Sequence, residues 1–120
     1  DYPIEPKPGP EILSGSTRLR AGTATKMVLN MISTAVMVRL GYVYGNLMVN
    51  VQPTNQKLSE RARRIIRQAT GVSAERAAQL LTAAGNNVRT AIVMEKKNVA
   101  REEAERLLAQ AAGRIREAMA

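Results

Sequence analysis

Apolar residues recur at helical spacing through most of this chain, and polar punctuation divides them into separate elements. From about Thr23 to Leu40, Ala24, Met27, Val28, Met31, Ile32, Ala35 and Met37 or Val38 repeat along one face, while Leu29 and Val36 carry the apolar surface almost all the way round. A helix apolar on every side expects burial on every side, so this one is predicted to belong to a larger body or to a dimer interface. Gly41 is placed as the residue that closes it. Residues 42–53 read as a connector in which Tyr42, Tyr44, Leu47 and Val49 can pack. Thr54 or Asn55 then caps a helix to about Thr70, with Leu58, Ala62, Ile65, Ile66 and Ala69 on its inner face. Three shorter helices follow. Ser73 caps one that ends at Gly85, with Ala77, Leu80, Leu81 and Ala84 inward, and Asn87 caps the next, around Val88, Ala91, Ile92 and Met94 or Glu95. The last runs from about Ala100 with an inner face of Ala104, Leu107, Leu108, Ala111 and Ile115. Short amphipathic helices with short links predict a compact three-helix bundle over residues 73–120.

The start of the chain is different. Residues 1–16, DYPIEPKPGPEILSGS, hold four of the five prolines and two glycines, so they are expected to be extended and looped. Tyr2–Ile4 fits the end of a strand, but one strand makes no sheet and no other segment offers convincing partners. That points to truncation. LLTAAGNNVR at 80–89 and LLAQAAGRIR at 107–116 are alike, which is shared helix-ending chemistry and not a solenoid repeat.

Composition narrows the chemistry. Of 120 residues, 45% are hydrophobic, yet there are three Tyr, no Phe and no Trp, so the core must be built from aliphatic side chains and much Ala, and is thin. Cys and His are both absent, which removes disulfides, thiolate nucleophiles, Cys/His zinc sites and imidazole acid–base chemistry. Glu102, Glu103 and Glu105 cluster only where a helix start favours acids, so no metal site and no cofactor are expected. No signal peptide is read at the start. The longest apolar stretch, Met27 to Leu40, is broken by Asn30, Ser33, Thr34 and Arg39 and falls short of the roughly 20 residues a span needs, so no membrane partner and a cytoplasmic setting are expected.

The net charge is +8. Residues 1–70 carry ten Lys or Arg against four Asp or Glu, and residues 71–120 carry eight against six. The excess is densest at Lys57, Arg61, Arg63, Arg64 and Arg67, which suits an anionic partner or simply a solvated helix face. Nucleic acid is disfavoured, because no aromatic platform exists for stacking bases.

The stretch richest in candidate chemistry is Gly9 to Lys26, GPEILSGSTRLRAGTATK. Its glycines let backbone amides approach an anion, its Ser, Thr, Arg and Lys side chains complete a shell, and it leads into a helix N-terminus. It is a candidate phosphate or carboxylate site, against the alternative of a loop whose hydroxyls cap its own turns. It is not a Walker A loop, since no GK[ST] closes it.

GPEILSGSTRLRAGTATKMVLNMISTAVMVRLG closely resembles the signature of N-acetylmuramate 6-phosphate etherases and the related glucokinase regulatory proteins, and YGNLMVNVQPTNQKLSERARRII resembles the segment that follows it. The resemblance covers essentially the whole chain. Arg20 departs from it, since the family usually shows Lys there; the charge survives but the geometry differs.

The resemblance implies a mainly α fragment. Residues 1–52 would be the C-terminal remnant (last strand and helix) of an α/β sugar-isomerase (SIS) domain with the signature at 9–26. Residues 53–72 would form a linking or lid helix, and 73–120 a UBA-like three-helix bundle. It implies the C-terminal fragment of a lyase, inactive alone, whose catalytic glutamates lie upstream of Asp1. The family reaction removes the D-lactyl ether of N-acetylmuramic acid 6-phosphate, giving N-acetylglucosamine 6-phosphate and lactate. One carboxylate takes the C2 proton and an acid assists lactate departure, a task for paired carboxyl groups. Glu11, Ser16, Thr17 and Arg18 are implied to bind the sugar phosphate, Glu11 as a contributor and not the base. Lys57 and Arg61, four apart and so on one face, match positions that contact bound sugar phosphate in the regulatory proteins. They are expected to reach over the substrate of a partner subunit, the alternative being a solvated basic face shared with Arg64. A homodimer is expected. The competing functions are a non-catalytic sugar-phosphate-binding regulatory module or a protein-interaction module; ubiquitin binding is disfavoured, because the turn AAGNNVR lacks the Met, Gly and aromatic of the usual loop.

Overall fold

The computed structural model describes residues 2–120. In chain order the elements are α1 (Arg20–Arg39), β1 (Val43–Tyr44), β2 (Leu47–Met48), α2 (Gln56–Thr70), α3 (Ala74–Ala83), α4 (Val88–Lys97), α5 (Arg101–Gln110) and α6 (Ile115–Ala118). The protein is mainly helical. It divides into two compact units, one reaching to Val36 and the other Met37–Ala120.

In the first unit an irregular stretch leads into α1. Tyr2–Ile4 is not a strand. The β1–β2 hairpin is the only sheet among the described residues, so this segment has no ladder to join. Helix α1 begins at Arg20, three residues before the expected Thr23. The cause is Glu11, whose carboxylate accepts hydrogen bonds from the backbone N–H of Arg20 (2.9 Å) and of Ala21 (3.1 Å). Two of the amides that a helix start leaves without partners are thereby satisfied from outside the helix. No residue of α1 is buried, and Met31 is 63% exposed. The apolar surface read in the sequence is therefore present and bare.

The second unit takes over at the end of α1. Gly41, at φ +76°, ends the helix with paired bonds from Gly41 N–H to Val38 O and from Tyr42 N–H to Met37 O, the left-handed closure that glycine permits. Residues 42–53 are not merely a connector. Val43 pairs with Met48 and Tyr44 with Leu47 in an antiparallel hairpin, turned by Gly45–Asn46 with Gly45 at φ +61°, and the short loop suits such a turn.

Helices α2 to α5 pack an aliphatic core in which Ile66, Ile92, Ile115, Val49, Val88 and Val93 are the largest fully enclosed apolar side chains. Helix α2 is capped by Asn55, α3 by Ser73 and α4 by Asn87, each side chain accepting from amides of the first turn. The last helix is shorter than its periodicity predicts. Ala112 at φ +50° and Gly113 at φ +78° are two successive left-handed residues, which a right-handed helix cannot accommodate. The chain turns there, and Ile115 enters the core from α6, 2% exposed. This turn also lies against the end of α1. A Cβ on Gly41 would stand 3.0 Å from the Gly113 carbonyl oxygen. Beside it the Arg89 guanidinium lies 5.7 Å from the centre of the Tyr42 ring and donates to Gly113 O at 3.5 Å.

Candidate anion-binding site

The glycine- and hydroxyl-rich loop is organised by its own side chains. Ser16 N–H donates to Leu13 O at 3.0 Å, and Ser16 Oγ accepts from Arg18 N–H at 3.3 Å. Ser16 is half-buried, whereas Thr17 and Arg18 are exposed. The N-terminus of α1, where the positive end of the helix dipole would favour an anion, is already occupied by the Glu11 carboxylate. Its hydrogen bonds from the Arg20 and Ala21 amides, with the Arg20 charge adding to them, hold the Glu11 carboxyl below the usual glutamate range. Glu11 is thus an ionised acceptor that fixes where α1 starts. Gly9 lets the Arg20 side chain lie close, with Nη1 3.3 Å from where a Cβ would be.

Lys57 and Arg61 sit in the second unit, one turn apart on α2. They line an open groove with Asn55, Leu58, Glu60 and Arg64. Helix α2 carries five cations and one acid, and among the described residues none of those cations is in an ion pair. The contrast lies within the same unit, where Arg76 pairs with Glu95 (2.8 Å), Arg101 with Glu105 (2.7 Å), Arg106 with Glu103 (2.6 Å) and Arg114 with Glu117 (3.0 Å). The one acid of α2, Glu60, accepts from the Gln56 amide at 3.4 Å. Lys57 lies in the first turn of α2, which has no acid. A cation there opposes the helix dipole, and like charges one turn apart repel. This arrangement disfavours the helix by itself and is relieved by an anion.

The structure therefore groups Lys57 with Arg61 in one groove and places Glu11, Ser16, Thr17 and Arg18 together in the other unit. Arg64, outside the expected binding set, lines the groove as well. Its spacing of seven from Lys57, two helical turns, is the signal that marks it. Among the described residues no helix is long and apolar enough to cross a membrane.

With that geometry in place, known proteins give a sharper answer. Over 119 residues, 99% of this chain, it is 57% identical to the N-acetylmuramic acid 6-phosphate etherase of an Exiguobacterium species, covering 40% of that protein. Over the same share of both chains it is 58% identical to the etherase of Geobacillus thermodenitrificans and 56% identical to that of Mycolicibacterium smegmatis. Along nearly its whole length the chain is similar to N-acetylmuramic acid 6-phosphate etherases. No family model matches it. The chain spans about 40% of the length of these curated etherases, and the match runs through both the glycine-rich loop and the cationic face of α2.

Proposed function

We propose that this chain is the C-terminal part of an N-acetylmuramic acid 6-phosphate etherase, a lyase that cleaves the D-lactyl ether of its substrate to give N-acetylglucosamine 6-phosphate and lactate. The observation that carries the reading is identity above one half, along 99% of the chain, to proteins of that name. In this reading the chain supplies binding and not the reacting pair. Abstracting the C2 proton and assisting lactate departure need two carboxyl groups in different protonation states. The signature loop offers Glu11 alone, already bonded to two amides. The catalytic carboxyls belong to the rest of the etherase, and the chain is inactive alone.

Ser16, Thr17 and Arg18 hold the sugar phosphate, with Glu11 keeping acceptor capacity for a sugar hydroxyl. Lys57 and Arg61 close over the substrate of a partner subunit in a cytoplasmic homodimer. Residues 1–52 are the end of a SIS domain, 53–72 the lid helix and 73–120 a UBA-like bundle. The bare apolar surface of α1 supports the first of these assignments, since such a helix requires a larger body around it.

The test is lactate release from N-acetylmuramic acid 6-phosphate. A full-length etherase ending in this chain is expected to release lactate, and the 120-residue chain is not. Lys57→Ala in the full-length protein is expected to raise KM about tenfold, the loss of one charge-assisted contact. Lactate from the short chain, or none from the long one, would overturn the reading; an unchanged KM would remove Lys57 from it.

A further inference from the structure

We propose that Arg64 determines specificity in this site by binding the lactyl carboxylate, while Lys57 and Arg61 take the phosphate. The inference rests on the etherase reading above and deepens it.

The substrate named for the relatives is a sugar with two anionic groups on opposite sides of one ring, a phosphate ester at C6 and the carboxylate of the lactyl ether at C3. The product keeps only the phosphate. A site that favours substrate over product therefore needs cationic capacity beyond what the phosphate uses, set apart from it along the sugar. Helix α2 provides that layout. Lys57, Arg61 and Arg64 stand at positions i, i+4 and i+7, line one groove and have no ion-pair partner among the described residues. From Lys57 to Arg64 the helix rises about 10 Å, enough for its two ends to address two different groups of one ligand. A phosphate monoester carries about 1.5–2 negative charges at neutral pH and a carboxylate one, so the substrate draws on more cationic capacity than the product does.

Direction follows from the helix. Lys57 lies beside the α2 N-terminus, whose amides and dipole favour the more highly charged phosphate. The phosphate is thereby assigned to the Lys57–Arg61 end. At the other end Arg64 also borders a second depression, shared with Arg67, Gln68, Gly71 and Val72, so the groove stays open where a branch of the sugar would extend. The residue at that end is an arginine, whose planar fork matches a carboxylate with two parallel hydrogen bonds. Glu60, the acid in the groove, accepts from Gln56 on the preceding turn at 3.4 Å and forms no ion pair with the three cations among the described residues.

The experiment uses a full-length etherase ending in this chain, with N-acetylmuramic acid 6-phosphate as substrate and N-acetylglucosamine 6-phosphate as competitive inhibitor. Arg64→Gln is expected to raise KM for the substrate about tenfold and to leave Ki for the inhibitor within about twofold, because the inhibitor lacks the carboxylate. Lys57→Ala is expected to raise both constants together. Arg64→Lys should recover part of the loss, keeping charge without the fork. Arg64 is exposed, so these variants fold. Equal weakening of substrate and inhibitor in Arg64→Gln would assign Arg64 to the phosphate and overturn the proposal, as would no change in either. Absence of lactate release from the unsubstituted protein would instead bring down the etherase reading itself.

Discussion

In Met37–Ala120 the apolar side chains of α2 to α6 meet one another, three of the helices carry side-chain caps, and four ion pairs lie across the surface. In the stretch that ends at Val36 none of the apolar side chains of α1 is buried. Both regions are helical and both are rich in Leu, Ile, Val and Met, so composition does not separate them. The angular arrangement does. The apolar residues of α2 to α5 occupy one face each, and such faces can satisfy one another within 84 residues. Those of α1 surround the helix, which no small set of neighbours can cover. The α2 to α6 region is built to be sufficient, and α1 is built to be covered. A piece of a larger enzyme would show that pairing.

The comparison breaks first at the core. Ile92→Ala in the 120-residue chain should destabilise the second unit by about 2–5 kcal/mol in urea unfolding, since Ile92 is fully enclosed. Met31→Ala should stay within about 0.5 kcal/mol, because Met31 touches no core. Equal effects would mean that the two regions are not different in kind.

Next in size is the contact between the end of α1 and the turn after α5. Gly41→Ala places a Cβ 3.0 Å from the Gly113 carbonyl oxygen at φ +76°, where neither the backbone conformation nor the neighbour can yield. A loss of about 1–3 kcal/mol is expected, seen as a lower urea midpoint. A smaller change of opposite sign is expected at Thr90. Its side chain is 1% exposed and its hydroxyl has no partner among the described residues. Thr90→Val removes that group at nearly constant shape and should stabilise the unit by about 1 kcal/mol.

The smallest effect sharpens the description of the first unit. Glu11 has its carboxyl pKa lowered by the Arg20 and Ala21 amides. The capping bonds therefore persist above the ordinary glutamate value of 4.5 and are lost only as pH falls through the lower folded value. The Arg20 and Ala21 amide resonances should shift in that acidic range, and the shift should vanish in Glu11→Gln. Movement centred at 4.5 or above would show that the cap is not formed.

Much of this was legible in the residues. Asn55, Ser73 and Asn87 are small polar residues standing just before apolar periodicity; Ser73 and Asn87 cap as expected, and of the two candidates Thr54 and Asn55 it is Asn55 that caps. Ala77, Leu80, Leu81 and Ala84 share a face and are all buried. What escaped depends on contacts that local pattern does not carry. Glu11 caps a helix from nine residues away, so the start of α1 shifted from Thr23 to Arg20. The break at Ala112 and Gly113 lies inside an apolar rhythm that continues to Ile115, and only the turn itself reveals it. The Val43–Met48 hairpin did leave a local mark, Gly45–Asn46 between short apolar pairs, but so short a ladder is weak against a connector reading. On α2, the grouping of Lys57 with Arg61 in one groove follows from their spacing of four. That no α2 cation is in an ion pair among the described residues, unlike Arg76, Arg101, Arg106 and Arg114, needed side-chain positions.

Amide hydrogen exchange, measured on the 120-residue chain at a concentration where it is monomeric and on a full-length etherase ending in it, tests the central claim most directly. The account predicts strong protection through α2 to α5 in both proteins, and protection of α1 only in the longer one. Protection of α1 in the monomeric short chain equal to that of α4 would show that the helix is already covered, and would contradict the claim that this chain is one part of a larger enzyme.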